Sequence, residues 1–133
     1  MNKYLEILLI SVFIIGSGYV YQEFYRPEHV GGIAPTGNIV QIDMRVLKNQ
    51  WKWDPDLITV KAGDKVRLYI YNEDPYDHGF AIDRFGVNKR LFPERTTLVE
   101  FNASVAGRFN FSCSVQCGTG HYDQVGTMIV EEL

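Results

Sequence analysis

The N-terminal part of the chain contains an apolar run from about residue 7 to residue 21. A membrane-spanning helix needs about 20 residues, and the run reaches that length when counted from Tyr4 to Phe24. This pattern predicts an uncleaved single-span membrane anchor over residues 1–24. A cleaved signal peptide and a cytosolic amphipathic helix are the alternatives, although no clear small-x-small cleavage site follows the run. An anchor or a signal peptide would place the rest of the chain outside the cytoplasm.

Residues 25–37 read YRPEHVGGIAPTG and contain two prolines and three glycines without an apolar period. This composition is typical of a linker. We therefore expect residues 25–37 to connect the anchor to a domain over residues 38–133. His29 lies in this linker, where a single histidine is most often solvated, and we assign it no role.

From Asn38 onward, apolar and polar residues alternate in short runs. Turn signals such as KAGD, NEDP and FGVN separate the runs, and no helical period occurs after the linker. Such alternation predicts strands, and about seven of them predict an all-β fold, either a β-sandwich or a small Greek-key barrel. The predicted strands are NIVQIDMRVL, DLITV, KVRLYIYN, HGFAID, TTLVEF, RFNFS and VGTMIV.

Composition sets the size of the domain and excludes one class of partner. The chain has 133 residues, 46% of them hydrophobic and 14% aromatic, which is enough for one core once the membrane segment is set aside. The formal net charge is −3, and the 13 lysines and arginines are scattered. Because nucleic-acid-binding proteins carry basic patches, we exclude nucleic acid as a partner.

Both cysteines and one of the three histidines lie within the stretch CSVQCGTGH. Cys113, Cys117 and His121 fall between the last two predicted strands, and His78 begins an earlier strand that can face the same end of the sandwich. Two thiolates and two imidazoles form a ligand set that suits copper or zinc. A disulfide between the two cysteines is a further possibility, since disulfides form outside the cytoplasm.

The stretch from HGFAID to VGTMIVEE resembles the dinuclear-copper (CuA) domain of cytochrome c oxidase subunit II, which also occurs at the C-terminus of nitrous oxide reductase. The shared pattern is a histidine at the start of a strand, followed later by C-x3-C-x3-H. His78, Cys113, Cys117 and His121 match this pattern. The resemblance covers residues 38–132. It implies a cupredoxin-like Greek-key fold with two copper ions, bridged by both thiolates and each bound by one histidine.

Two positions depart from the family pattern. The family carries a methionine as weak axial copper ligand three residues after the loop histidine, and here that residue is Gln124. Glutamine also serves as an axial donor in copper sites, so we assign Gln124 to the site. At the position of Val115, oxidase subunits commonly have a glutamate, whose backbone carbonyl binds copper and whose carboxylate reaches a magnesium ion beside subunit I. Val115 keeps only the carbonyl, which weakens the assignment to an oxidase but leaves the copper prediction unchanged.

The segment NQWKWDP resembles the tryptophan patch through which oxidase subunit II receives electrons from cytochrome c. Trp51 is the matching position, and packing of Trp51 and Trp53 in or beside the core is the alternative. An acidic face near the strand HGFAID would favour docking of a basic cytochrome. The candidates for that face are Glu73, Asp74 and Asp77.

The resemblance implies a membrane-anchored electron carrier with a CuA centre and no catalytic residues of its own. Its implied partners are haem-copper oxidase subunit I and a c-type cytochrome or another small redox protein. The copper domain would lie on the extracytoplasmic (periplasmic or outer) side of a membrane crossed once. A stand-alone copper-binding protein that stores, delivers or senses copper is the alternative.

Overall fold

The computed structural model describes residues 2–25 and 32–133, which fall into an N-terminal helical unit and a β-domain. Helix α1 extends over Lys3–Val20 and continues as a π-helix over Tyr21–Tyr25. The Asn2 side chain caps α1 by accepting a hydrogen bond from the backbone N–H of Tyr4. Together the 23 residues Lys3–Tyr25 are long and apolar enough to cross a membrane, as a single-pass protein requires. His29 lies outside the described residues.

Within residues 32–133 the chain forms nine strands in two sheets. They are β1 (Ile39–Leu47), β2 (Lys52–Asp54), β3 (Leu57–Lys61), β4 (Lys65–Asn72), β5 (His78–Ile82), β6 (Val87–Leu91), β7 (Thr96–Asn102), β8 (Gly107–Ser112) and β9 (Val125–Glu131). One sheet has the order β2-β1-β4-β7, and the other has the order β3-β9-β8-β5-β6. Neighbouring strands are antiparallel except for the parallel pairs β1 with β4 and β3 with β9. The predicted β-sandwich is confirmed.

Two of the nine strands are absent from the sequence prediction. Strand β2 has only three residues, too few to show an alternating pattern. Strand β6 is buried only at its two ends, Val87 and Leu91, and exposes the three residues between them. The segment FGVN was expected to be a turn, but its last two residues begin β6.

The core lies between the two sheets and is centred on three aromatic rings. Trp53, Phe80 and Phe111 are buried, with ring centroids 5.3–5.8 Å apart. Trp53 packs edge-on against both phenylalanines, the arrangement that aromatic quadrupoles favour. The Trp53 indole N–H donates to the backbone carbonyl of Gln124 at 3.2 Å. Trp53 is therefore a core residue that also supports the loop before β9.

Asp64 lies buried, 4% exposed, at the end of the sandwich where β4 begins. Its carboxylate accepts hydrogen bonds from the Asn38 side chain at 3.0 Å and from the Lys61 backbone N–H at 3.1 Å. Nearby, the Thr36 N–H donates to the Gly63 carbonyl at 3.0 Å. We call this region the linker end, because these bonds fix the chain that leads into β1.

Candidate metal centre

The predicted ligands come from two elements at the other end of the sandwich, which we call the metal end. His78 is the first residue of β5, a strand that is buried along its whole length. Strand β5 pairs with β8 at Ala81 and Ser112, so it runs beside the start of the loop between β8 and β9. That loop carries the other three predicted ligands, Cys113, Cys117 and His121.

The four side chains are in mutual contact through the two sulfurs. The Sγ atoms of Cys113 and Cys117 are 3.3 Å apart. His78 Nδ1 lies 3.8 Å from Cys113 Sγ, and His121 Nδ1 lies 3.4 Å from Cys117 Sγ. The structure thus brings all four predicted ligands together, with one imidazole beside each thiol.

The distances between these ligand atoms bear on the disulfide and zinc alternatives. A disulfide bond is about 2.05 Å long, and the structure instead holds two free, buried thiols. Among the described residues, the ligand atoms that lie within 4.8 Å of one another belong to His78, Cys113 and Cys117. His121 is outside that group. Two ligands of one zinc ion lie at most about 4.6 Å apart, given bonds of about 2.3 Å, which is close to the span of the group formed by His78, Cys113 and Cys117.

Two further oxygen atoms face the thiols. The Val115 carbonyl oxygen lies 3.1 Å from Cys113 Sγ. Gln124 Oε1 lies 2.9 Å from His78 Nδ1 and 3.5 Å from Cys117 Sγ. Gln124 is fully buried, and its Nε2 has no hydrogen-bond partner among the described residues. A buried amide nitrogen without a partner is unusual in a folded protein, and the amide oxygen is the atom of Gln124 that could bind a metal ion.

The electrostatics of the thiol pair are asymmetric. Burial raises the pKa of Cys113, but hydrogen bonds with His78 and with the Gly79 backbone N–H outweigh it and lower the pKa to about 6. Burial and the neighbouring Cys113 both raise the pKa of Cys117, to about 12. For His78, burial lowers the pKa, but contacts with Cys113 and Asp74 outweigh it and raise the pKa. A bound metal would displace any proton that remains on the two thiols, because the thiolate is the ligand form.

Asp74 belongs to the site, although it was predicted to lie on an acidic docking face. It is fully buried, so that prediction is wrong for Asp74. Its Oδ2 lies 2.8 Å from His78 Nε2. The other two acidic candidates are paired with arginines: Glu73 with Arg45 and Asp77 with Arg90. A carboxylate four residues before a ligand histidine was the available signal, since ligand histidines commonly donate their second N–H to a carboxylate.

Gly79 is a second residue of the site that the sequence prediction missed. A Cβ atom at Gly79 would come within 2.2 Å of Ser114 Oγ and 2.8 Å of the Val115 nitrogen. The Gly79 N–H also donates to Cys113 Sγ at 3.4 Å. Only glycine lets the ligand loop approach β5 this closely, and a glycine within a strand pattern is the signal for such an approach.

Trp51 lies against the ligand loop. Its indole N–H donates to the Cys117 carbonyl at 2.9 Å. A Cβ atom at Gly120 would come within 2.5 Å of the Trp51 side chain, so the ring lies directly on the loop backbone. Trp51 is partly exposed and packs beside the core. It therefore connects the protein surface with the backbone of a predicted copper ligand.

Comparison with known sequences agrees with this architecture. The profile of the cupredoxin-like domain matches residues 34–130. Cytochrome c oxidase subunit 2 of Thermus thermophilus is 22% identical over 129 residues, which cover 78% of this chain and 96% of that protein. Nitrous-oxide reductase of Stutzerimonas stutzeri is 37% identical over 76 residues, which cover 55% of this chain and 12% of the reductase.

Comparison with solved structures gives the same fold. A chain of a haem-copper terminal oxidase dimer matches with a TM-score of 0.61 and 22% identity, over 96% of this chain and 97% of the other. Auracyanin A, a blue copper protein of Chloroflexus aurantiacus, matches with a TM-score of 0.60 and 19% identity, over 71% of this chain and all (100%) of the other. At these identities the likeness establishes the fold alone.

Proposed function

Because this chain belongs to the cupredoxin-like domain family, we propose that it binds two copper ions as a CuA-type centre and relays single electrons. The observation that carries this proposal is the pair of free thiols 3.3 Å apart, each with an imidazole nitrogen within 3.8 Å. The two thiolates and two imidazoles would hold the copper, which would supply the one-electron redox chemistry. The soft thiolates and the imidazoles are ligands that copper prefers.

The residues of the site then have distinct roles. Cys113 and Cys117 would supply the two thiolates. His78 Nδ1 and Gln124 Oε1, 2.9 Å apart, would serve one ion, and His121 would serve the other. The Val115 carbonyl would be a weak additional donor beside Cys113. The scaffold holds these groups in place, since Cys113 donates its backbone N–H to the Gln124 carbonyl at 3.1 Å and thereby closes the loop.

The physiological setting is part of the proposal. The apolar helix Lys3–Tyr25 and the likeness to oxidase subunit 2 support a single-pass protein with its copper domain on the extracytoplasmic side. In that setting the chain would pass electrons from a c-type cytochrome or another small redox protein to haem-copper oxidase subunit I. Val115 lacks the carboxylate that oxidase subunits commonly carry at this position, which favours a stand-alone copper protein as the second candidate.

Metal content and spin distribution test the copper centre. The full chain in detergent, loaded with copper and freed of excess metal, should hold two copper ions and turn purple. Its electron paramagnetic resonance spectrum should show one electron shared between two copper nuclei. A content of one copper ion per chain, or a disulfide-bonded form that binds no copper, would contradict the proposal. Copurification with a haem-copper subunit from native membranes would favour the oxidase setting over the stand-alone one.

Electron transfer through Trp51 has its own test. Trp51→Phe keeps an aromatic ring but removes the hydrogen bond to the Cys117 carbonyl. We expect stopped-flow reduction by a c-type cytochrome to slow by about tenfold, equivalent to about 1.4 kcal/mol in the barrier, while the copper spectrum stays unchanged. An unchanged rate would mean that electrons arrive elsewhere and that Trp51 only packs against the loop.

A further inference from the structure

We infer that Asp74 is a positioning residue that fixes which nitrogen of His78 faces the metal site and, through its other oxygen, holds the loop that carries Trp51. The inference rests on the proposed function, because it assigns His78 as a ligand. It goes beyond that function by connecting the metal site to the surface through a single buried carboxylate.

The contacts of Asp74 with the histidine support the first part. Asp74 and His78 are both fully buried, so water does not compete for their contact. Asp74 Oδ2 lies 2.8 Å from His78 Nε2. Asp74 Oδ1 already accepts from the Asn49 backbone N–H, and with Oδ2 as a second acceptor the hydrogen of this contact lies on Nε2. A neutral imidazole then has its lone pair on Nδ1, which is the nitrogen that faces Cys113 and Gln124.

The amide of Gln124 fits this tautomer once its oxygen and nitrogen are exchanged. Its Nε2 has no partner among the described residues, while its Oε1 lies 2.9 Å from His78 Nδ1. The oxygen and nitrogen of a side-chain amide are assigned from their surroundings and exchange by a half-turn of the last bond. In the metal-free protein, that half-turn would let Nε2 donate to the Nδ1 lone pair, and copper would replace this donor.

The other oxygen of Asp74 holds the loop between β1 and β2. The Asn49 backbone N–H donates to Asp74 Oδ1 at 2.8 Å. Asn49 and Trp51 both have positive φ angles, of 59° and 48°. Such angles are uncommon outside glycine, so this turn needs bonds that hold it. The same turn places the Trp51 indole on the Cys117 carbonyl.

An isosteric substitution separates this role from general packing. Asp74 satisfies two donors with two oxygens, whereas an asparagine offers one acceptor and one donor group. In Asp74→Asn, an amide that keeps the bond to Asn49 presents its NH₂ group to His78 Nε2 and favours the Nδ1–H tautomer. That tautomer blocks the ligand nitrogen, and we expect copper affinity to fall by about 10–100-fold. Loss of the negative charge should also shift the one-electron reduction equilibrium about tenfold toward the reduced state, or about 59 mV.

Asp77→Asn is the matched control. Asp77 is adjacent to His78, but its carboxylate pairs with Arg90 on the surface and does not contact the imidazole. The substitution removes the same charge within one residue of the same ligand. We expect the tautomer and the copper affinity of this variant to match those of the wild type.

The experiment uses the full chain in detergent with ¹⁵N-labelled histidine. Nitrogen chemical shifts of the metal-free protein at alkaline pH, where imidazoles are neutral, report the tautomer of His78. The wild type should show Nε2–H and Asp74→Asn should show Nδ1–H. Copper affinity is measured against a competing chelator, and the potential by voltammetry.

Three results would overturn the inference. They are an Nδ1–H tautomer in the wild type, an Asp74→Asn variant with wild-type tautomer and affinity, and an Asp77→Asn variant that changes as much as Asp74→Asn. The wild-type measurement decides the matter even where a variant fails to fold. Because the tautomer is read without metal, finding a single copper ion would contradict the proposed function and leave this inference standing.

Discussion

Asp64 and Asp74 are two buried aspartates at opposite ends of β4, and each accepts two hydrogen bonds on its two oxygens. At the linker end, the donors to Asp64 are the Lys61 backbone N–H and the Asn38 amide, neither of which titrates. At the metal end, one donor to Asp74 is the imidazole of a predicted ligand. The same residue type in the same burial therefore serves stability at one end and ligand geometry at the other.

The two ends also differ in how completely their polar groups are satisfied. The metal end contains two free thiols and the Gln124 Nε2 without a partner among the described residues. An unsatisfied buried polar group costs about 1–3 kcal/mol, so a fold selected for stability alone would have matched or removed it. Polar groups left unsatisfied in this way concentrate at functional sites, and here they lie at the end of β4 beside the proposed ligands.

The largest expected effect comes from replacing either cysteine of the metal end. Cys113→Ser and Cys117→Ser each remove a thiolate that both ions need, so the shared-spin signal should vanish in either variant. Electron paramagnetic resonance of the copper-loaded chain measures this. His121→Ala and His78→Ala are the graded comparison, because each should retain some copper but break the symmetry between the ions. An unchanged spectrum in both serine variants would show that the thiolates are not ligands.

A pair of glycine substitutions should separate the two ends from each other. Gly79→Ala places a Cβ atom within 2.2 Å of Ser114 Oγ, so the ligand loop must move, and copper content should fall below half of the wild-type value. At the linker end, Gly63 has a φ of +87° and a Cβ there would approach the Ala34 carbonyl within 2.8 Å.

For Gly63→Ala we expect a loss of about 1–2 kcal/mol in the free energy of unfolding, from left-handed strain, with copper content unchanged. Metal analysis and urea denaturation of both variants give the comparison. Equal copper loss in the two variants would mean that the ends are not independent.

The alternating strands were predictable because one face of each packs on the core. The buried positions of β4 alternate along the strand in this way. The proximity of the four proposed ligands was predictable because three of them share one short stretch and their chemistry is unusual. Strand β6 was not predictable, since its middle positions are all exposed. The contact of Asp74 with the β1–β2 loop was not predictable, because its donor, the Asn49 backbone N–H, comes from 25 positions earlier in the chain, and any residue except proline can supply such a donor.

Acid should weaken the linker end through Asp64. The hydrogen bond from Asn38 lowers the pKa of Asp64, against the opposing effect of burial. A carboxylate with a lowered folded-state pKa adds stability that is complete above its unfolded pKa, near 4, and is lost as the pH falls through the folded value.

Asp64→Asn leaves one of two donors unmatched, so it should cost about 1–3 kcal/mol at neutral pH and progressively less in acid. Urea denaturation of the metal-free β-domain at several pH values measures this. The copper content of the variant should equal that of the wild type. A loss of copper would contradict the division between the two aspartates.

The smallest expected effect concerns the unsatisfied amide of the metal end. Gln124 Oε1 lies beside His78 Nδ1 and Cys117 Sγ, and an amide oxygen is a harder donor than a thioether, so it favours the more oxidised copper state. Gln124→Met, which restores the family residue, should therefore raise the reduction potential. A one-electron couple shifts by about 59 mV per 1.4 kcal/mol, and an axial contact worth a fraction of that implies tens of millivolts. Voltammetry of the two proteins measures the shift. An unchanged potential would mean that Gln124 does not reach the metal, and a lower one would mean that solvent access rather than donor hardness governs this position.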